Sequence, residues 1–411
     1  MKYTIITICL LLLTSKVIAQ NCQAGQNVIY STPFNQCNNN PWVLVFEDNF
    51  NGSNLDLSKW NYSDTRIRYC NSEQQYYTHS NNNTQVSNGT LKIIAKKETL
   101  YAKVDDNEQN LNAPLYCNGN YRGKNGRYFY YTSDNIETNR KFSNGKFEAS
   151  VKIPKGKGLW PAFWTYGQNP IYNEIDIFEF MNEYNVFHVY DATQLSKVHR
   201  MTLHHDYDAD GSVSHCGTAY TGTDFSQEFH TFTMILDNDK IEWYVDGALK
   251  RRDCRYYTMG GQETGCTIEA DTLYVKKLIY PQDPMNIIFD LAIQGFLDDN
   301  GNEVPDGYGN LSSPDASTTF PCQMEVEWIR YYRKIPNPCQ DVTITNASQF
   351  SIDSQLLNAM VGRNVAINCL FTVPSGQQLD IVAGNSVTLG PGFTAAFGST
   401  FNVRIESTVC N

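Results

Sequence analysis

Positive charge, long apolar runs and helical periodicity are all scarce in this chain. Lys and Arg number 32 against 43 Asp and Glu, a net charge of −11, and charged residues make up only 18% of the sequence. No basic stripe marks a nucleic-acid face, so that class of partner is set aside. A polyanionic ligand would be repelled at long range unless a local basic groove intervened, and the balance leans toward a neutral one. No segment beyond residue 19 is apolar enough to span a bilayer, so membrane insertion is not expected. No interior stretch repeats its apolar residues at a helical period, which argues against a helical fold. None of the 12 cysteines sits in a Cys/His setting suited to nucleophilic catalysis, and their spacings give no convincing zinc site.

What is present points outward and to β-structure. Residues 1–19 read as a secretory signal, with Lys2 at the start, an apolar core from Ile5 to Leu13, and Val17-Ile18-Ala19 at the cleavage site. The expectation is a secreted, soluble, monomeric protein. Losing Cys9 with the signal leaves an odd number of cysteines in an oxidising compartment. Cys22 with Cys37 and Cys254 with Cys266 close short loops and are the expected pairs, with Cys70 and Cys117 a third. At least one thiol then stays free or pairs outside the chain.

Many short alternating segments with turn signals between them indicate a β-sandwich. Asn88-Gly89 and Asp246-Gly247 mark hairpins. Phe147, Ala149, Val151 and Ile153 alternate as the buried face of a strand. Residues 99–128, rich in Asn and Tyr, read as a long loop or insertion. Pro336-Asn-Pro338 marks a linker, after which charged residues are few and short apolar pairs alternate with glycines. That tail reads as stacked short strands in a solenoid-like module. The expected domains are a signal at 1–19, a cysteine-containing segment at 20–40, a β-sandwich at 41–333, a linker at 334–340 and a small β module at 341–411.

The chemistry gathers in Asn173-Glu174-Ile175-Asp176-Ile177-Phe178-Glu179-Phe180. On a strand, Glu174 and Asp176 share one face and Ile175 and Ile177 the other. Glu179 arrives one residue late for that row. One bulged residue would bring it back beside the other two acids. Three carboxyls in a row repel one another, so at least one should hold its proton at raised pKa. A protonated acid beside an ionised one is what glycosidic cleavage uses. An edge strand dressed with acids against aggregation is the plain alternative. Upstream, Trp160-Pro-Ala-Phe-Trp164 sets Trp160, Ala162 and Trp164 on one face and Phe163 on the other. Two indoles around a small residue form a shelf on which a sugar ring can lie, although buried Trp is common in cores.

Together these two runs resemble glycoside hydrolase family 16, in the branch with the bulged acid signature that holds laminarinases, agarases, porphyranases and carrageenases. The resemblance covers about residues 41–333. It implies an all-β jelly-roll sandwich with a concave open cleft and endo-acting, retaining cleavage of a β-linked polysaccharide. In that scheme Glu174 is the nucleophile, Glu179 the acid and then base, and Asp176 the residue between that orients and tunes Glu174. No catalytic cofactor is implied. Asn71 and Glu73, ahead of a Tyr pair, resemble the family's sugar-contacting segment, and His204 falls where members often point a His into the cleft. Laminarinases typically carry Arg where this chain has Asn135, and Gly-Trp where it has Arg68-Tyr69-Cys70. Those positions help hold the glucan in the family, so Arg68 and Asn135 are expected at the substrate. β-1,3-Glucan leads, a red-algal galactan follows because these residues depart from the laminarinase pattern, and a non-catalytic glycan-binding protein is the reading from another class. A structural calcium of many relatives would fall on Asn49, the Gly89 carbonyl and Glu327. The tail resembles short repeats at the end of many secreted bacterial proteins.

Overall fold

The computed structural model describes residues 29–30, 42–63, 73–102, 127–167, 173–182, 193–205, 214–237, 240–254, 256–258, 274–277, 284–297, 303–305, 311–334, 342–344, 359–368, 370–373, 375 and 378–405, apart from 369 and the like gaps between those ranges. The signal segment, residues 335–340 of the linker, Arg68, Asn71, Cys22, Cys37, Cys70, Cys117 and Cys266 lie outside them. The chain is all-β and divides into two compact units, residues 40–336 with 354–357, and residues 1–39, 337–353 and 358–411.

The larger unit is a jelly-roll sandwich of a seven-stranded and a ten-stranded sheet. In the seven-stranded sheet the strands run, edge to edge, Ser214–Thr221, Val198–His205, Asn173–Glu179, Leu159–Gly167, Asn286–Ile293, Asn135–Thr138 and Trp60–Tyr62, each antiparallel to its neighbour. The acid strand therefore lies inside the sheet, paired on both sides. An aggregation-proofed edge is excluded by that position.

Alternation decides which face is core. Along Asn286–Ile293, Ile287, Phe289, Leu291 and Ile293 are fully buried between the sheets. Ile288, Asp290 and Ala292 take the opposite face. The same rule sends Phe163 inward, where it stacks on Phe289 with ring centroids 4.6 Å apart. From the ten-stranded sheet, Phe147, Ala149 and Val151 are wholly buried, as their spacing predicts. Phe178 meets Phe232 at 4.5 Å across the interface, and Phe180 adds to the same aromatic cluster. Burying such rings contributes about 2–3 kcal/mol each, which outweighs their ordering cost.

The hairpins expected at Asn88-Gly89 and Asp246-Gly247 form, with all four residues at positive φ. The loop expected over 99–128 is partly corrected. The strand Thr90–Ala102 runs on through that start and pairs with Arg127–Ser133, Tyr101 opposite Tyr128. Local composition suggested a loop, but cross-strand aromatic pairing extends the ladder. Cys254 is buried at the end of its strand. Cys322 is a free thiol, and burial pushes it up to about 12.

The smaller unit is solenoid-like. Val342–Ile344, Ala359–Ile367, Gln378–Leu389 and Thr400–Ile405 stack in parallel, and Phe371–Val373 pairs in parallel with Phe393–Ala395. Successive coils repeat at about 22 residues, and Thr372 and Thr394, one coil apart, share a 2.8 Å hydroxyl contact. Phe371 stacks on Phe393 at an interplanar angle of 2°. Ile29–Tyr30, from the segment expected to stand apart, adds an antiparallel strand beside Val342–Thr343.

Candidate active site

The acid strand carries the bulge that the late Glu179 requires. Against the Leu159–Gly167 strand, Trp164 faces Asp176 and Phe163 faces Phe178, which leaves Ile177 as the extra residue. On the other side Asp176 faces Thr202 and Glu179 faces Arg200, with the register shifting between them. Glu174, Asp176 and Glu179 consequently all line one cleft, with Glu73, Trp160, Ala162, Trp164, Asp290 and Ala292. The cleft holds about 310 Å³ of free space, its open mouth included. The bulged carbonyl is tied down from behind. Trp243 Nε1, on the opposite sheet and 1% exposed, donates to the Asp176 carbonyl oxygen at 3.0 Å. Arg251 in turn lies over the Trp243 ring, 4.7 Å from its centroid.

Hydrogen bonds distinguish the three acids. His204 Nε2 contacts Asp176 Oδ2 at 2.9 Å and Glu174 Oε1 at 3.4 Å, so it bridges two of them. Thr202 Oγ1 donates to Glu179 Oε2 at 3.1 Å. Desolvation, followed by the Glu174 charge, pushes Asp176 well above the ordinary carboxylate range. Desolvation and then the Asp176 charge push Glu179 well above it too, with a hydrogen bond to Asp176 acting the same way. Two such neighbours cannot both ionise cheaply, so the pair keeps a proton above the ordinary carboxylate range. Glu174, Asp176 and His204 place their polar atoms within 4.8 Å of one another, a grouping that could also hold a metal ion.

The remaining candidates divide. Trp160 and Trp164 flank Ala162 as their spacing predicts, yet they are 8% and 5% exposed. Each indole therefore gives the cleft only a small part of its surface, a narrower shelf than the sequence suggests. Trp164 packs edge-on against Tyr166. Glu73 reaches the cleft and accepts from Gln75 Nε2 at 2.7 Å and Tyr77 Oη at 3.1 Å. Asn135 is fully buried, directly across from Asp290. Asp290 was not legible as a site residue, although an acid amid Ile, Phe and Leu on that strand was a usable signal.

At the expected calcium position, exposed Glu327 accepts from Ser150 Oγ at 3.0 Å, and Asn49 Nδ2 donates to Glu47 at 3.3 Å. One carboxylate, one amide oxygen and the Gly89 carbonyl fall short of the charge and number of oxygens that calcium favours. That donor set fits the ion poorly.

The family model of Glycosyl hydrolases family 16 matches residues 71–299. The chain belongs to this family. Among relatives of this family 16 chain, glucan endo-1,3-beta-glucosidase A1 of Niallia circulans is 26% identical over 71% of this chain and 38% of its own length. Glucan endo-1,3-beta-glucosidase of Cryptopygus antarcticus is 31% identical over 50% of this chain and 67% of its own. The chain thus spans well under half of the first of these relatives. A solved structure described among endo-acting O-glycanases of the human gut microbiota aligns with a TM-score of 0.52 at 24% identity, covering 74% of this chain and 95% of that one. That likeness establishes the fold alone.

Proposed function

We propose that the protein is a secreted, endo-acting β-glucan hydrolase that cleaves β-1,3-glucan with retention of configuration. The observation that carries this reading is the bulged row of Glu174, Asp176 and Glu179 lining one cleft. Family membership and the endo-1,3-glucosidase relatives support the same reaction class. Glu179, held protonated, gives its proton to the leaving oxygen while Glu174 attacks the anomeric carbon, forming a glycosyl ester. Water then attacks that carbon, Glu179 takes the water's proton, and Glu174 leaves as a carboxylate. Asp176 and His204 orient Glu174 and absorb part of the change in its charge. Retention calls for the two glutamate carboxyls about 5 Å apart, and the bulge turns Glu179 onto the face that Glu174 takes.

No cofactor takes part in these steps. Any calcium at Asn49, Gly89 and Glu327 is structural and weakly held, so EDTA is expected to shift the melting temperature by no more than about 2 °C.

The deciding assay measures new reducing ends from laminarin, mixed-linkage glucan, agarose, porphyran and κ-carrageenan, with Glu174→Gln alongside. The expected result is release from laminarin, reduced about a thousandfold or more in Glu174→Gln. Cleavage of a galactan instead would move the substrate to the red-algal polymers. Binding without any cleavage would make the protein a glycan-binding member of the fold.

A further inference from the structure

One row of side chains crosses the cleft floor at right angles to the strands. Glu179 faces Ala162, Ala162 faces Asp290, and Asp290 faces Asn135. Directly opposed residues share a face of the sheet, so all four belong to the cleft side. Asp290 lies two strands from Glu179, about 10 Å along the sheet, too far for the carboxylate pairing of a retaining mechanism. Ala162 between them leaves a depression rather than a wall.

The amide at the end of this row is costly unless it has work. Asp290 is 4% exposed on a strand whose other residues are almost all apolar, and Asn135 beside it is fully buried. Neither Asn135 Oδ1 nor Asn135 Nδ2 has a hydrogen-bond partner. Burying an amide unpaired is destabilising, and a ligand hydroxyl would offset that on binding. The amide's backbone is already held in place, since Asn135 N donates to Asp134 Oδ1 at 3.2 Å.

Charge says which ligand. Of the described residues lining the cleft, Glu73, Glu174, Asp176, Glu179 and Asp290 carry carboxyls, and none is Lys or Arg. Arg200, opposite Glu179, stands on the other flank of the acid strand from Asp290. A carboxylate only accepts hydrogen bonds, and an amide both donates and accepts, so together they suit hydroxyls, which do both. A sulfate or carboxylate on the same sugar offers acceptors alone and brings like charge into a desolvated spot, where repulsion is strongest.

We infer that Asp290 and Asn135 form a hydroxyl-reading subsite that selects a neutral sugar and rejects one bearing sulfate or carboxylate. The inference rests on the glycosidase reading above and adds to it the feature of the cleft that chooses the substrate class.

The experiment compares kcat/KM on laminarin and on the same laminarin chemically sulfated, for the wild type, Asp290→Asn and Asn135→Asp. Circular dichroism checks that each variant is folded. The wild type is expected to prefer the neutral polymer. Asp290→Asn removes the charge at constant size, so cleavage of neutral laminarin should fall about tenfold, chiefly through KM. Its neutral-to-sulfated ratio should narrow by a similar factor. Asn135→Asp adds a charge and should widen the ratio, which keeps the inference testable where Asp290→Asn fails to fold. A ratio unmoved by either folded variant overturns the subsite, as does a wild type that accepts both polymers equally. A loss confined to kcat with the ratio intact also overturns it, because Asp290 would then act on the catalytic acids. Absence of wild-type cleavage of any neutral β-glucan is a different result, which sinks the hydrolase reading and the subsite with it.

Discussion

At the scale of single residues, the division of labour among the acids follows from where their protons sit. Desolvation and the Asp176 charge raise Glu179, so its acidic form persists above the ordinary carboxylate range. In the proposed mechanism Glu179 is the general acid and must be protonated for turnover, and activity should therefore fall on the alkaline side as pH passes through that raised value. Thr202 Oγ1 donates to Glu179 Oε2, which favours the ionised form. Thr202→Val removes that donor and is expected to move the alkaline limb of the kcat/KM profile to higher pH. Glu179→Gln should lower kcat by about 10² to 10⁴ and abolish the limb, as a pH series on laminarin would read. A limb that stays put in both variants would assign it to another group.

Elements matter because the catalytic row is only as ordered as the strand that carries it. A bulge leaves backbone groups out of the ladder, and here the Asp176 carbonyl is claimed by the Trp243 indole from the opposite sheet. Trp243→Phe keeps an aromatic ring in the core but frees that carbonyl. It is expected to cost about 1–3 kcal/mol in urea unfolding and to reduce kcat more than KM is raised. Equal loss of stability with unchanged kcat would make the indole a packing residue only. The neighbouring Gly158 is similarly constrained. Its φ of +74° suits glycine, and a Cβ there would lie 2.4 Å from the Pro314 nitrogen, so the turn leading into the Trp160 strand admits no side chain.

For the whole molecule, the relevant fact is that two units each own a core. Val365, Ile367, Phe371, Val373, Leu379 and Ile381 form that of the smaller unit. Ile381 is fully buried there. Ile381→Asp places a carboxylate in that core and is expected to unfold the small unit, a cost of about 4 kcal/mol or more. Laminarin cleavage should stay within about twofold of the wild type. Proteolysis would read the first effect and the reducing-end assay the second. A matching collapse in activity would show that the cleft depends on the small unit.

Much of this architecture was already written in local patterns. Alternation along Phe147-Ala149-Val151 predicted a buried strand face, and Asn-Gly and Asp-Gly placed two hairpins, because strand periodicity and turn chemistry act over a few residues. The late position of Glu179 foretold the bulge, since side chains alternate with a period of two and an odd spacing must be absorbed. Other features depended on residues far apart in the chain. Asp290 is a site residue only because strand order brings residues 286–293 beside the Trp160 strand. The near-complete burial of Trp164 was set by neighbours such as Tyr166 and Ile288, and no alternation rule reveals it. The hold of Trp243 on the Asp176 carbonyl likewise joins opposite sheets. Periodicity fixes the face a side chain takes within its own strand. What that face meets depends on pairing order and sheet packing, which only the folded chain decides.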